Sequence, residues 1–307
     1  MNGSVMRKFG AGAVIFVIYV CLYLLTILPR GGFITLFGLT GFSLSQLLGA
    51  TVLFAATLLL QTVTRYKYRK WYFLIVALLP FVPEVIVYIA GSAPYTAVPD
   101  TVFKVTAVII AWYAGGSSRH VMVRIAVSAA FMAAVVAMAF WGWDYWYNFV
   151  RHGSFSGKVS HPVKIELPVT DPNGDEVALT SVNKGYVLLD FWSRSCGYCY
   201  KVMPEIERLH NKYKSNDRID VYAVFCHFPS MDEMPLKGDS IVRGMGFTFP
   251  VLSVDYEGNR EALESLDITA FPQYIIMDST GTVVYHGVLP MAERFLDSLD
   301  FDGEQGS

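Results

Sequence analysis

Between residues 9 and 142 the apolar residues come in blocks too long for a water-facing fold. A membrane-crossing helix needs about 20 mostly apolar residues, and five stretches reach or approach that length: 9–29, 43–63, 71–90, 99–115 and 121–142. The fourth is short and carries Asp100 and Lys104 near its start. The first has Arg7 and Lys8 ahead of it, as a cleaved leader would, but its apolar core is too long and further spans follow, so it reads as a retained helix. A mean hydropathy of +0.40 agrees that part of the chain lies in lipid.

Charge divides the chain in the same place. Residues 1–150 hold 10 Lys and Arg against 3 Asp and Glu, residues 151–307 hold 14 against 23, and the halves therefore carry +7 and −9. The expected organisation is an α-helical polytopic membrane domain over 1–143, a linker over 144–162 that is aromatic and then rich in Gly, Ser and His, and a folded domain over 163–302. The acidic excess reads as solubility, with no nucleic-acid partner.

Loop cations accumulate on the cytoplasmic side. Five spans with a cytoplasmic N-terminus put Arg7, Lys8, Arg65, Lys67, Arg69, Lys70, Arg119 and Arg124 inside and Arg30 outside. The expected location is the cell (inner) membrane, with the acidic half on its periplasmic or extracellular side. Trp141, Trp143, Tyr145, Trp146 and Tyr147 would mark the outer interface. Within the spans, Glu84 reads first as an ion pair or a side chain reaching the interface, and second as a proton or ligand site. Cys21, alone in the membrane half, cannot relay thiol electrons and reads as a small packed apolar residue. Pro80 and Pro83 predict a kinked helix packed in protein.

In the acidic half, 163–169 and 176–179 flank the turn signal Asp171-Pro172-Asn173-Gly174, a hairpin pattern. The run 185–192, GYVLLDFW, is nearly all apolar, as in a strand buried on both faces. Helical spacing follows over 197–214, with Pro204 as a kink, and then near 260–266 and 292–299. Strands are expected at 219–226, 249–254, 273–277 and 282–286, so the class is α/β. At the first strand-to-helix junction stand Cys196, Gly197, Tyr198 and Cys199. Unpaired N–H groups at a helix start favour a thiolate on the first cysteine, and the second lies one turn on, within disulfide reach. The rival use of such a pair, half of a zinc site, would need two more ligands at suitable spacing, and Cys226 with His227 is a weak source of them, so no metal is expected. Cys226 itself reads first as a packed small residue and second as a relay thiol.

Asp190-Phe191-Trp192 followed by Cys196, Cys199 and Pro204 resembles the signature of thioredoxins. The leading hairpin, Thr248-Phe249-Pro250-Val251-Leu252 and Phe271-Pro272 before a strand resemble the membrane-anchored TlpA/ResA-like branch, over about residues 163–300. The resemblance implies a thioredoxin-fold thiol-disulfide oxidoreductase without a cofactor, with protein disulfides or dithiols outside the cytoplasm as substrates and an external electron donor. It implies Cys196 as nucleophile, Cys199 as resolving thiol, Asp190 as a buried acid that takes the Cys199 proton, and Pro272 as a cis proline facing the dithiol. Gly197, Tyr198, Phe271 and Trp192 would meet substrate or shield the site. The chain departs from the pattern at Ser195, at the Gly-Tyr dipeptide, at Val202 and at Gln273, positions that tune thiol acidity, so the direction of electron flow stays open, with reduction of envelope proteins favoured by the branch.

Two other readings compete. A peroxidase of the peroxiredoxin type would use Ser193 before Cys196, but Leu189 stands where its proline belongs. A membrane-held metal-binding or scaffold protein with a redox-sensing domain would use the same cysteines without turnover.

Overall fold

Backbone immersed in hydrocarbon must satisfy its own N–H and C=O groups, and a long apolar run does so most simply as helix. In the computed structural model, which describes residues 3–32, 34–64, 70–91, 95–115, 120–159, 163–182, 185–231 and 234–299, five helical runs are long and apolar enough to cross a membrane. They are Gly10–Gly31, Gly41–Val63, Trp71–Ile89, Tyr95–Ala114 and Val121–His152. Arg65, Lys67, Arg69 and Arg119, which carry much of the orientation argument, lie outside the described residues.

The third run shows what its prolines do. It is α-helix over Lys70–Leu78, 3-10 helix over Leu79–Phe81 and α-helix again over Val82–Ile89. Pro80 and Pro83 lack the N–H that an α-helix interior needs, and the tighter turn absorbs the mismatch. The fourth run begins at Tyr95, earlier than its hydropathy suggested, because Asp100 and Lys104 are buried and paired inside the helical unit.

The linker expected over 144–162 is corrected by the structure: 143–152 is helix, continuous with the fifth run. Asp144 lies in its first turn and Arg151 and His152 in its last, which suits the helix dipole at both ends. At 32 residues the run exceeds the roughly 20 that a bilayer core requires.

The chain divides into two compact units, Met1–Trp146 and Tyr147–Ser307. Among the described residues of the second, seven strands form one sheet: β1 (Pro168–Thr170), β2 (Glu176–Ala178), β3 (Tyr186–Trp192), β4 (Ile219–His227), β5 (Val251–Asp255), β6 (Gln273–Met277) and β7 (Val283–Gly287). Their order is β2-β1-β5-β4-β3-β6-β7. β3, β4 and β5 are parallel, and β1, β2, β6 and β7 join by antiparallel pairs. Helices α1 (Gly197–Tyr213), α2 (Lys237–Gly244), α3 (Arg260–Ser265) and α4 (Leu289–Asp297) connect or follow them.

The apolar run of β3 is buried along most of its length, and its alternate residues serve two cores. Leu188 and Trp192 join α1 and α4 on one face, while Val187, Leu189 and Phe191 join Leu263 and Ile268 on the other. Each fully buried side chain of this size contributes roughly 1.5–3 kcal/mol, so the sheet centre is anchored from both sides. The β1–β2 hairpin forms as its turn residues direct: Asp171 Oδ1 accepts from the N–H of Asn173 and Asp175, and Gly174 supplies φ +92°. Outside the edge strand β7, the segment after His152 is bridged to the sheet at Lys158 and Lys164, which covers an edge otherwise open to pairing. Helix α2 was not expected from the sequence, and Pro204, the expected site of a kink, lies inside α1.

Candidate active site

The site sits where β3 ends and α1 begins. Cys196 is the N-cap of α1, its backbone extended at φ −84° and ψ 90°, and its Sγ accepts the Cys199 N–H at 3.1 Å. The sulfur therefore lies among the first unpaired amides of the helix, where a negative charge is favoured. Cys196 and Cys199 are joined as a disulfide, with Cα atoms 5.3 Å apart. The two sulfurs differ in access: Cys196 is half-buried and Cys199 is buried.

Beneath them, Asp190 points to the α1 side of the sheet with Leu188 and Trp192, since alternate residues of a strand share a face. It is 2% exposed, and its Oδ1 has no hydrogen-bond partner within the protein. Burial pushes its carboxyl up to about 8. Tyr274, opposite Asp190 in the β3–β6 register, is also buried, and its hydroxyl is pushed well above its ordinary range by burial and then by Asp190. Sequence reasoning missed Tyr274; only the pairing register brings it beside the acid.

Gly197 and Tyr198 are exposed at the start of α1, Tyr198 by 50%. The Phe271–Pro272 peptide is cis. Phe191 pairs with Gln273, so Pro272 comes level with Trp192 at the sheet edge that carries the dithiol. Phe271 is half-buried, its ring 5.8 Å from that of Tyr256. Trp192 corrects the expectation that it meets substrate: it is wholly buried, 4.9 Å from the Phe225 ring and 6.0 Å from Tyr200, and supports the junction from below. A large aromatic that ends a strand packed on both faces has no route to the surface.

Cys226 lies one residue beyond the level of Trp192 on β4, but its side chain is buried in the core of the opposite face. Burial, and secondarily Asp190, raise its thiol well above the usual range, which disfavours the thiolate. Ser193 is buried and its hydroxyl lies 3.2 Å from that of Ser195.

In the helical unit four charged side chains pair with one another. Arg30 contacts Glu84 and Asp100, each at 2.7 Å, and Lys104 lies 3.0 Å from Asp100. Tyr23 donates to Glu84, and Ser45 to Asp100. Glu84 thus has the ion pair that the first sequence reading expects. Cys21 differs from expectation: it is exposed on the first run rather than packed, and an apolar group on an outward apolar face needs no partner.

Residues 156–302 match the family model described as Redoxin. The C-terminal half is a Redoxin domain. Its class of activity is that of an oxidoreductase, and its sheet and flanking helices form a thioredoxin fold. Over 166 residues the chain is 24% identical to the thiol-disulfide oxidoreductase ResA of Halalkalibacterium halodurans, covering 54% of this chain and 88% of that protein. The ResA of Bacillus subtilis is 25% identical over 138 residues, 44% of this chain and 72% of its own. Among solved structures, the thioredoxin domain of a thiol-disulfide oxidoreductase from Bacteroides vulgatus is 21% identical and covers 46% of this chain and 94% of its own, with a TM-score of 0.37. A thiol:disulfide interchange protein from a Bacteroides species, also 21% identical, covers 49% and 95% at 0.38.

Proposed function

We propose that the chain is a membrane-tethered thiol-disulfide oxidoreductase that reduces disulfides of proteins outside the cytoplasm through Cys196 and Cys199. The observation that carries the reading is the asymmetry of the pair: a half-buried cysteine at a helix start, and a buried one above an acid whose Oδ1 has no hydrogen-bond partner.

In the reducing direction the Cys196 thiolate attacks one sulfur of a substrate disulfide. A mixed disulfide forms, and the other substrate sulfur leaves as a thiolate that takes a proton from water. Asp190, as carboxylate, takes the proton of Cys199. The Cys199 thiolate then attacks Cys196 Sγ, breaking the mixed disulfide and releasing the second substrate thiolate. The protein is left with the Cys196–Cys199 disulfide and a protonated Asp190, the form its raised pKa favours. A dithiol donor must restore the thiols, returning two electrons, and Asp190 gives its proton back in that step. Tyr198 and the backbone of Phe271 are the groups offered to an extended substrate segment.

Five apolar helical runs support membrane anchoring. The odd number and the loop cations support a cytoplasmic N-terminus with the Redoxin domain on the far side. A reporter fused after residue 299 reads the sidedness, and activity of a cytoplasm-only reporter there would overturn it.

Chemistry is tested by equilibrating the full chain, in detergent, with thiol buffers of known potential. A value near about −270 mV supports a reductase, and one near about −120 mV indicates a disulfide donor. Failure of Cys196 and Cys199 to interconvert overturns exchange altogether.

A further inference from the structure

Three distant segments of the Redoxin unit bring together two imidazoles and a carboxylate. His152 ends the fifth helical run, Asp267 follows α3, and His286 lies in β7. One ligand atom from each lies within 4.8 Å of the other two. The His152 side chain is only 4% exposed, yet its Nδ1 has no hydrogen-bond partner. That nitrogen faces Asp267 Oδ2 at 3.6 Å, too far for a hydrogen bond. A buried polar atom left unpaired is costly, and here it faces an acidic oxygen with a second imidazole beside it. The rings of His152 and His286 are 4.1 Å apart between centroids.

His286 is set up by a neighbour. Its Nε2 lies 3.1 Å from Gln273 Oε1, and since the amide oxygen accepts, Nε2 carries the proton and Nδ1 the lone pair. Metal-binding imidazoles are oriented in this way by an outer partner on the second nitrogen.

We propose that His152, Asp267 and His286 bind one divalent transition-metal ion of the zinc class. Two nitrogens and one carboxylate oxygen suit such an ion, whereas magnesium and calcium ask for more oxygen ligands. Tetrahedral bonds of about 2.0–2.1 Å set ligand atoms roughly 3.3 Å apart, so the group must close slightly, and the 57% exposed side chain of Asp267 has room to swing inward. Three protein ligands leave a fourth position for water or an outside ligand. Arg151 and Lys158 line the same cleft of about 320 Å³. They oppose a cation held by charge alone, and nitrogen coordination has to overcome them. An ion here clamps the segment between Asp267 and Gln273, which contains Phe271 and Pro272. The proposal does not rest on thiol exchange, and failure of that reading leaves it standing.

The experiment is equilibrium dialysis of the full chain in detergent against Zn²⁺, with the Cys196–Cys199 disulfide kept oxidised so that those sulfurs cannot ligate. Expected are one zinc per chain and binding weaker by more than about tenfold in both Asp267→Asn and His152→Ala. Cobalt in place of zinc should show a nitrogen- and oxygen-ligated spectrum without thiolate charge-transfer bands. Asp267→Asn changes an exposed side chain and keeps a residue type that tolerates φ +56°, so it reports on binding even if His152→Ala folds poorly. Absence of stoichiometric zinc, binding that survives either substitution in a folded chain, or thiolate bands in the cobalt spectrum would overturn the proposal.

Discussion

Asp100 and Asp190 are both buried carboxylates, and their surroundings lead to opposite chemistry. Asp100, in the helical unit, meets Arg30, Lys104 and the Ser45 hydroxyl within 3.1 Å. Each has an oxygen without a hydrogen bond, but Asp190, in the Redoxin unit, has no such cation beside it among the described residues, and burial pushes its pKa up to about 8. Charge that is matched locally locks helices together. Charge that is left unmatched becomes a proton store, because the neutral form is the one burial permits. In the proposed exchange, a carboxylate under a dithiol gains its use from the isolation that would be a fault elsewhere.

The comparison breaks most visibly at Asp100. Asp100→Asn leaves Arg30 and Lys104 with one fewer counter-charge in a buried place, and should cost about 3–5 kcal/mol, read as loss of folded chain on heating in detergent. A variant as heat-resistant as the parent would show that the cluster is solvated.

Asp190→Asn should do the reverse for stability. The native pKa of Asp190 lies above its unfolded value of about 3.9, so the folded state binds more protons. The associated stability is complete below about pH 4 and is lost as pH rises through about 8, at roughly 1.4 kcal/mol per pH unit between. Asparagine removes that slope. Denaturant titrations of the oxidised chain from pH 5 to 8 check this, and equal slopes in parent and variant would refute the isolation of Asp190. The same substitution should slow resolution of a mixed disulfide by about 10²-fold or more, with formation of that species less affected, in single-turnover mixing.

Glu84→Gln tests the exposed end of the helical cluster. With side-chain exposures of 21% for Arg30 and 11% for Glu84, the pair should contribute about 1–2 kcal/mol, less than the Asp100 pair. Equal losses would mean that the four charges act as a unit. Least of all, Tyr198→Ala should change stability by less than about 0.5 kcal/mol while raising KM for a protein disulfide, and an unchanged KM would remove Tyr198 from the substrate surface.

Much of this was readable in the sequence because the signals are local. An apolar block long enough for a span, the Asp171–Gly174 turn, the two-faced strand ending at Trp192 and the CxxC pair at the following helix start each use residues contiguous in the chain. The misread places have their own reasons. Helix α2 is short, and Ile241 and Val242 are its only large apolar residues, too few to show a helical period. Residues 143–152 resemble a tether because their aromatics suggest an interface, although Asp144 and the Arg151-His152 pair already carry the end charges of a helix. Trp192 was expected to meet substrate or shield the site, and only the packing around the end of β3 shows it wholly buried.

The sequence by itself determined which segments are apolar enough for lipid, which strand is central and where two thiols can meet, since these follow from composition and spacing along the chain. Only the tertiary structure decided that Asp100 is matched and Asp190 is not, that Cys226 is buried away from the dithiol, and that His152, Asp267 and His286 converge. Partners of a buried group come from other segments, and the strength of electrostatics inside a protein depends on those partners and on the exclusion of water, neither of which is written next to the residue in the chain.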